Sequence, residues 1–151
     1  MMRVISRDDI VAALDDARAI ELIEAGFVAL SAGKVTMPPV GHLDIQDPPG
    51  ECHIKYGHIH GDDFFAIKLA TGFYENAAQG LPSGSGMTIV FSAKTGFPEV
   101  LLDDAGYLTD VRTARRPKRK PCCFDNAVVA VPIAVIRWVQ VCLCKILIGS
   151  R

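Results

Sequence analysis

The chain has 151 residues, room for one ordinary domain with a core that needs no covalent staples. Its 16 basic and 17 acidic residues leave a formal net charge of −1, so no global field points to nucleic acid or to an acidic partner. Cys52 stands alone in the body while Cys122, Cys123, Cys142 and Cys144 crowd the end, and no signal-peptide pattern opens the chain; both features argue for a reducing, cytoplasmic setting rather than a secreted disulfide frame.

Met2 to Ile5 is a short apolar start, and Ser6 with Asp9 has the form of a helix-opening cap ahead of Ile10, Val11 and Leu14. Asp15 or Asp16 can cap a second helix. In it Ile20, Ile23, Phe27 and Leu30 recur at helical spacing as a core face, and Gly33 is placed to end it. Pro38, Pro39 and Gly41 break that pattern. Strands are then predicted over Val40–Gln46, Glu51–His58 and Asp63–Ala70, joined by the DPPG and HGDD turns, and over Met87–Ala93 and Glu99–Asp103, joined by the turn Lys94-Thr95-Gly96. Two N-terminal helices followed by strands at this spacing predict an α+β domain with an antiparallel or mixed sheet.

Strand alternation sorts the polar groups. His53, Lys55 and Gly57 share one face of their strand, with Cys52, Ile54 and Tyr56 on the other. In the next strand Lys68 lies between Ala66 and Ala70, opposite to Phe65, Ile67 and Leu69. A lysine in an apolar run is costly unless it meets an anion or a solvated cleft. The small neighbours and the glycine-rich stretch that follows, with Gly72, Gly80, Gly84 and Gly86, predict a small-molecule site with an anion-cradling loop. The competing reading is an ion pair to a nearby carboxylate, or snorkelling to water. All four histidines, His42, His53, His58 and His60, fall in one short region; without a Cys-x-x-Cys pair or a helical His-x-x-x-His they read as solvated or hydrogen-bonded, and no metal site is assigned.

Thr109 or Asp110 can cap a helix there, which sets Arg112 and Thr113 in its first turn beside free N–H groups, an arrangement that suits a carboxylate or phosphate. An ordinary solvated arginine fits these residues equally well. After Ala114 the character changes abruptly. Arg115 to Lys120 is a dense basic run without the aromatic interleaving of a nucleic-acid patch, and the apolar segment Ala127–Ile148 is interrupted by Pro132, Arg137, Gln140 and Lys145, which argues against a membrane span. The chain therefore divides into a body, residues 1–114, and an aberrant basic then apolar tail, residues 115–151.

The body resembles the N-terminal part of the ornithine cyclodeaminase/mu-crystallin family. The segments that carry the likeness are Ser31-Ala32-Gly33-Lys34-Val35 with Met37-Pro38-Pro39, HIKYG at His53–Gly57, IKLATGFYEN at Ile67–Asn76, GLPSGSGM at Gly80–Met87 and LTDVRTA at Leu108–Ala114. The resemblance implies an α+β substrate and dimerisation domain beside a Rossmann domain that binds NAD or NADP. It also implies hydride transfer at the α-carbon of a small amino or imino acid, in a homodimer. By position, Lys68 and Arg112 would grip the substrate carboxylate, and Ser83 and Thr113 would approach the dinucleotide from the substrate side.

Three departures shape the expectation. Val40 stands where many members have an arginine. Lys55 stands where ornithine-using relatives place an acid, so ornithine would meet a cation and an uncharged or acidic substrate is favoured. The likeness ends at Ala114, and no strand–GxGxxG–helix unit with a downstream acid occurs in the 151 residues, so the Rossmann half is absent from them. A shifted reading frame past Ala114 would account for the change in composition. The family's catalytic aspartate belongs to that other half; no catalytic residue is assigned here, and the chain alone is expected to be inactive. The competing readings are a non-catalytic dimerising or ligand-binding fragment and a membrane-tethered form.

Overall fold

The computed structural model describes residues 1–114, with side chains through Val111. The basic run, the apolar segment Ala127–Ile148, four of the five cysteines and the side chains of Arg112 and Thr113 lie outside the described residues. Among those described, no helix is long and apolar enough to cross a membrane.

The chain opens with strand β1 (Arg3–Ser6), helix α1 (Arg7–Ala13) and helix α2 (Asp16–Ser31). Ser6 and Asp9 form the expected reciprocal cap: the Ser6 hydroxyl accepts the Asp9 N–H at 3.2 Å, and Asp9 accepts the Ser6 N–H at 3.3 Å. The Asp15 carboxylate starts α2 by accepting the Arg18 N–H at 2.8 Å. Gly33, at φ +67°, ends it, with its N–H donating to Leu30 O and that of Lys34 to Ala29 O. This is the left-handed stop that only glycine takes cheaply. The buried line of α2 runs through Ala19, Ile23 and Gly26, so the core stripe is rotated from the expected one and Ile20 stays 38% exposed.

Strands β2 (Val35–Thr36), β3 (Gly41–Gln46), β4 (Pro49–Ile59), β5 (Phe64–Gly72), β6 (Gly84–Ser92) and β7 (Pro98–Asp103) complete one mixed sheet. Its order is β1-β7-β6-β5-β4-β2, with β3 also on β4. The two share one edge because β4 is long: β3 pairs with Pro49–Ile54 and β2 with His58 and Ile59. All pairings are antiparallel except β1 on β7. Helix α3 (Tyr107–Ala114) follows β7. The α+β expectation with a mixed sheet is met.

Registers divide the sheet into two faces. On one, Ile5, Val90, Val100 and Leu102 pack with Ile10, Ala19, Ile23 and Leu108 from the three helices, and farther along Ala66 is covered by Val35, Met37 and Ile59. Leu43, Ile54, Tyr56 and Met87, all at least 38% exposed, belong to the other face. The glycine-rich stretch is not one loop. Gly72 ends β5 and Gly84 and Gly86 lie inside β6, where a Cβ on Gly86 would come within 2.6 Å of Leu69 O; these glycines serve close strand approach. The residues between hold a 3-10 helix, Tyr74–Gln79, which Gly80 ends at φ +71°.

Leu102 is fully buried at the centre of the helix-covered core. Leu102→Ala should lower the unfolding free energy by about 2–5 kcal/mol. Val28→Ala, at a position 69% exposed, should change it by less than about 0.5 kcal/mol. Urea denaturation of both variants checks the assignment of the core.

Candidate functional site

Lys68 lies midway along β5 on the helix-covered face and is 3% exposed. Alternation and the β5–β6 register put it between Ala66 and Ala70 and opposite Thr88, itself 1% exposed, whose other partner is Leu102 in the core. The opening that small neighbours predict around the ammonium is closed by α3: Lys68 Nζ donates to Thr109 Oγ1. A buried ammonium is tolerated only where hydrogen bonds and opposite charge replace water.

The acid whose carboxyl feels the charge of Lys68 is Asp104, which sequence reasoning missed. Asp104 is fully buried between β7 and α3, and its Oδ2 accepts the Leu108 N–H at 2.8 Å. The cap of α3 is thus Asp104. Thr109 and Asp110 fall inside the first turn, which releases the Thr109 hydroxyl to meet Lys68. An aspartate two residues before a Gly-led helix start is a legible capping signal. The left-handed turn Ala105-Gly106, at φ +47° and +88°, is what lets its side chain fold back. Asp104 Oδ1 is buried without a hydrogen-bond partner in the structure. Burial pushes the Asp104 carboxyl above its ordinary range, while the Leu108 N–H and the charge of Lys68 pull it down; burial prevails.

Lys55 is the Cα partner of Lys68 across β4 and β5, so the two lysines rise from one face on adjacent strands. It is half-buried. Arg112 is placed on α3 three residues, or about one turn, beyond Thr109, and its side chain lies outside the described residues. Ser83 is half-buried in the connection before β6, and its carbonyl accepts the Phe73 N–H at 2.7 Å. Thr113 is on α3, its side chain likewise outside the described residues.

A second polar cluster stands farther along the same face. His42 and His53 are cross-strand partners with ring centroids 4.6 Å apart, and Glu51 lies two residues before His53. The Glu51 carboxylate accepts from Tyr74 Oη at 2.9 Å and contacts His53 Nε2 at 3.0 Å, and those hydrogen bonds, Tyr74's first, lower its pKa. His42 Nε2 bonds Asp44 Oδ1 at 2.9 Å. One donor atom each from His42, Glu51 and His53 falls within 4.8 Å of the others, a spacing metal ligands can have. Within the trio Glu51 meets His53, while His42 turns to Asp44 and His53 Nδ1 is buried without a hydrogen-bond partner. His58 and His60 instead bond Asp62 O and Thr36 Oγ1.

Among the described residues, the places that could cradle a dinucleotide phosphate are the turns from strand into helix. Two strand-to-helix turns occur, β1 into α1 and β7 into α3, and the first turn of each helix is met by the chain's own carboxylate, Asp9 and Asp104. A carboxylate there repels the phosphate that such a turn would cradle.

The fold and the site thus define an α+β sheet domain that buries a cation between sheet and helix. Residues 2–117 match the ornithine cyclodeaminase/mu-crystallin family, and the chain belongs to it. A protein of Rhizobium meliloti (strain 1021) named as a dehydrogenase is 48% identical over 123 residues, 77% of this chain and 36% of that protein. In structure the chain is similar to Thermococcus litoralis Δ1-pyrroline-2-carboxylate reductase in complex with NADH and L-proline. That likeness has a TM-score of 0.70 at 26% identity and covers 76% of this chain and 35% of that one. It also has the fold of part of an archaeal alanine dehydrogenase dimer with bound NAD, at a TM-score of 0.69 and 24% identity, over 76% of this chain and 34% of that one. The chain spans about a third of the length of these relatives.

Asp104 supplies a test by pH. A carboxyl raised by folding holds its proton more tightly in the native state, so the stability it contributes is present below the ordinary aspartate value of 3.8 and is lost as pH climbs through the raised one. Asp104→Asn keeps an acceptor for Leu108 and removes the titration. The unfolding free energy of the parent relative to this variant should therefore fall as pH rises from about 4. A difference that does not vary with pH would show that this carboxyl is not raised.

Proposed function

We propose that residues 1–114 are the substrate-side and dimer-forming part of an NAD(P)-dependent enzyme acting on a small amino or imino acid. The observation that carries this is Lys68: a cation 3% exposed in mid-strand, bonded to Thr109 of the helix that also carries Arg112. In this reading Lys68 and Arg112 hold the substrate α-carboxylate between sheet and helix. That fixes the α-carbon for hydride transfer, and Ser83 and Thr113 approach the dinucleotide from the substrate side. The nicotinamide supplies the hydride chemistry; this chain's residues bind and orient. With no strand–GxGxxG–helix unit in the 151 residues, the polypeptide alone passes no hydride. A reducing, cytoplasmic setting suits both that chemistry and the free Cys52.

The apolar face that none of the described helices covers supports the dimer. Leu43, Ile54, Tyr56 and Met87 rise from three strands on that side, and Phe65 and Phe91 stack at 5.0 Å between ring centroids. A second copy of the same sheet is the partner that a self-complementary apolar face favours.

Two experiments test these readings. Residues 1–114 grafted in place of the matching part of the Rhizobium meliloti relative should give an enzyme that exchanges hydride between NAD(P)H and a small imino acid. In that chimera Lys68→Met and Arg112→Met should each lower kcat/KM by the equivalent of about 2–5 kcal/mol, expressed mainly in KM. Unchanged kinetics in both variants would show that the carboxylate is held elsewhere. For the dimer, Ile54→Asp should convert the sedimenting species of the chain from dimer to monomer, whereas Lys94→Asp, in the exposed β6–β7 turn, should not.

A further inference from the structure

We propose that His42, Glu51 and His53 form a binding site for a divalent transition-metal ion of the zinc class, which staples strand β3 to β4. The β3–β4 register builds it: His42 pairs with His53 and Asp44 with Glu51, so two histidines and two carboxylates stand as successive pairs on one face of adjacent strands. His42 and His53 belong to separate strands, and it is the pairing that brings their rings to 4.6 Å between centroids. Across β4 and β5 His53 faces Ala70 rather than Lys68, so the trio does not use the cations of the proposed carboxylate grip.

The donor set and its spacing both suit zinc. Two imidazole nitrogens and a carboxylate oxygen are ligands for a borderline dication, whereas a hard cation such as magnesium takes oxygen. One donor atom from each of the three residues lies within 4.8 Å of the others. Zinc bonds at tetrahedral angles put neighbouring ligand atoms about 3.3 Å apart. His53 Nε2 and Glu51 Oε2, at 3.0 Å, already stand close to that separation, and His42, whose side chain is 46% exposed, has room to close the remainder. The contacts now made are nitrogen to carboxylate oxygen with a proton between, and a dication takes the place of that proton when the ligands deprotonate. His53 Nδ1 has no hydrogen-bond partner, so no bond at the far nitrogen fixes the ring's tautomer against ligation through Nε2.

The surroundings of the trio favour a cation. Tyr74 Oη donates to Glu51 Oε1 at 2.9 Å, which orients the carboxylate, leaves Oε2 toward His53 and helps keep the group ionised. Asp44, 2.9 Å from His42 Nε2, adds a second negative charge beside the ion. The consequence is structural. β3 lies at the sheet edge and pairs with β4, and a metal held by His42 on one strand and by Glu51 and His53 on the other fastens that edge.

The test is an NMR titration of the isotope-labelled 151-residue chain, stripped with a chelator, with zinc sulfate and separately with magnesium sulfate, read at the amides of β3 and β4. Zinc at one equivalent should shift the amides around His42, Glu51 and His53, and magnesium should not. His42→Gln and His53→Gln should each weaken the zinc response at least about tenfold, the low end of what even an outer-shell change costs a metal site. His60→Gln, at the Thr36 contact, should leave it unchanged. Zinc that leaves these amides unmoved, as capture by the cysteines of residues 115–151 would, overturns the proposal. So do equal shifts with magnesium, the mark of an acidic patch that attracts any dication, and a zinc response retained in both histidine variants. Should a variant not fold, the comparison of zinc with magnesium in the parent chain decides alone.

Discussion

A lysine ammonium held out of water between a sheet and a helix is the constraint that organises this domain. Taking Lys68 to 3% exposure costs several kcal/mol of hydration unless the interior answers it. The answer comes from two residues that are distant in sequence: the Thr109 hydroxyl, and the Asp104 carboxyl that burial raises and Lys68 lowers. Both belong to the β7–α3 turn, so neutralising one cation also fixes where α3 docks and how it starts. Leu108, fully buried one residue before Thr109, adds the apolar anchor that holds the same turn of helix against the core.

The strand period of two then gives the domain two unlike surfaces from one set of sequences. On β5 the residues Ala66, Lys68 and Ala70 face the helices while Ile67 and Leu69 face away, and β4 repeats the division with Lys55 and Gly57 against Ile54 and Tyr56. A one-residue slip of β4 against β5 would bury Ile54 and Tyr56 under the helices and turn Lys55 to the open face. The pairing is held in place from both ends. At one, Gly86 allows β6 to approach Leu69 more closely than any side chain would; at the other, Ala66 is clamped by Val35, Met37 and Ile59.

Much of this was legible in the sequence, for physical reasons that differ by element. The strands could be read because each alternates on a half-buried sheet, and the Ser6–Asp9, Asp15 and Gly33 helix ends because caps satisfy backbone groups by local chemistry alone. Lys68 stood out since a charge in an apolar run must be answered. The answer itself is tertiary, which is why Asp104 went unnoticed and Thr109 was assigned to capping. Glycines mark both loops and close strand contacts, so Gly84 and Gly86 could not be told from loop glycines until β5 and β6 were paired. On α2, Ala19 and Gly26 are what the core takes in, because small residues let the helix approach the sheet; the hydrophobic count favoured the larger Ile20, which lies outside that contact.

The same geometry bears on how a ligand could be held once the Lys68–Thr109 contact that closes over the ammonium gives way. In the proposed site a carboxylate bridges Lys68 on the sheet and Arg112 on α3, the two elements that the Lys68–Thr109 hydrogen bond already joins. The ligand then finds its contacts mounted on elements whose relative position the core fixes, and it need not gather them from mobile loops. Ordering costs are thereby met largely at folding, and more of the interaction energy is left for recognition. That gain extends to Lys55, whose backbone is fixed to that of Lys68 by continuous ladder pairing from Glu51 to His58. In the proposed site, selectivity would in this way be referred back to the pairing of two strands. Displacing the Lys55 backbone by one residue along β5 would move the second cation to the opposite face and leave the first where it is.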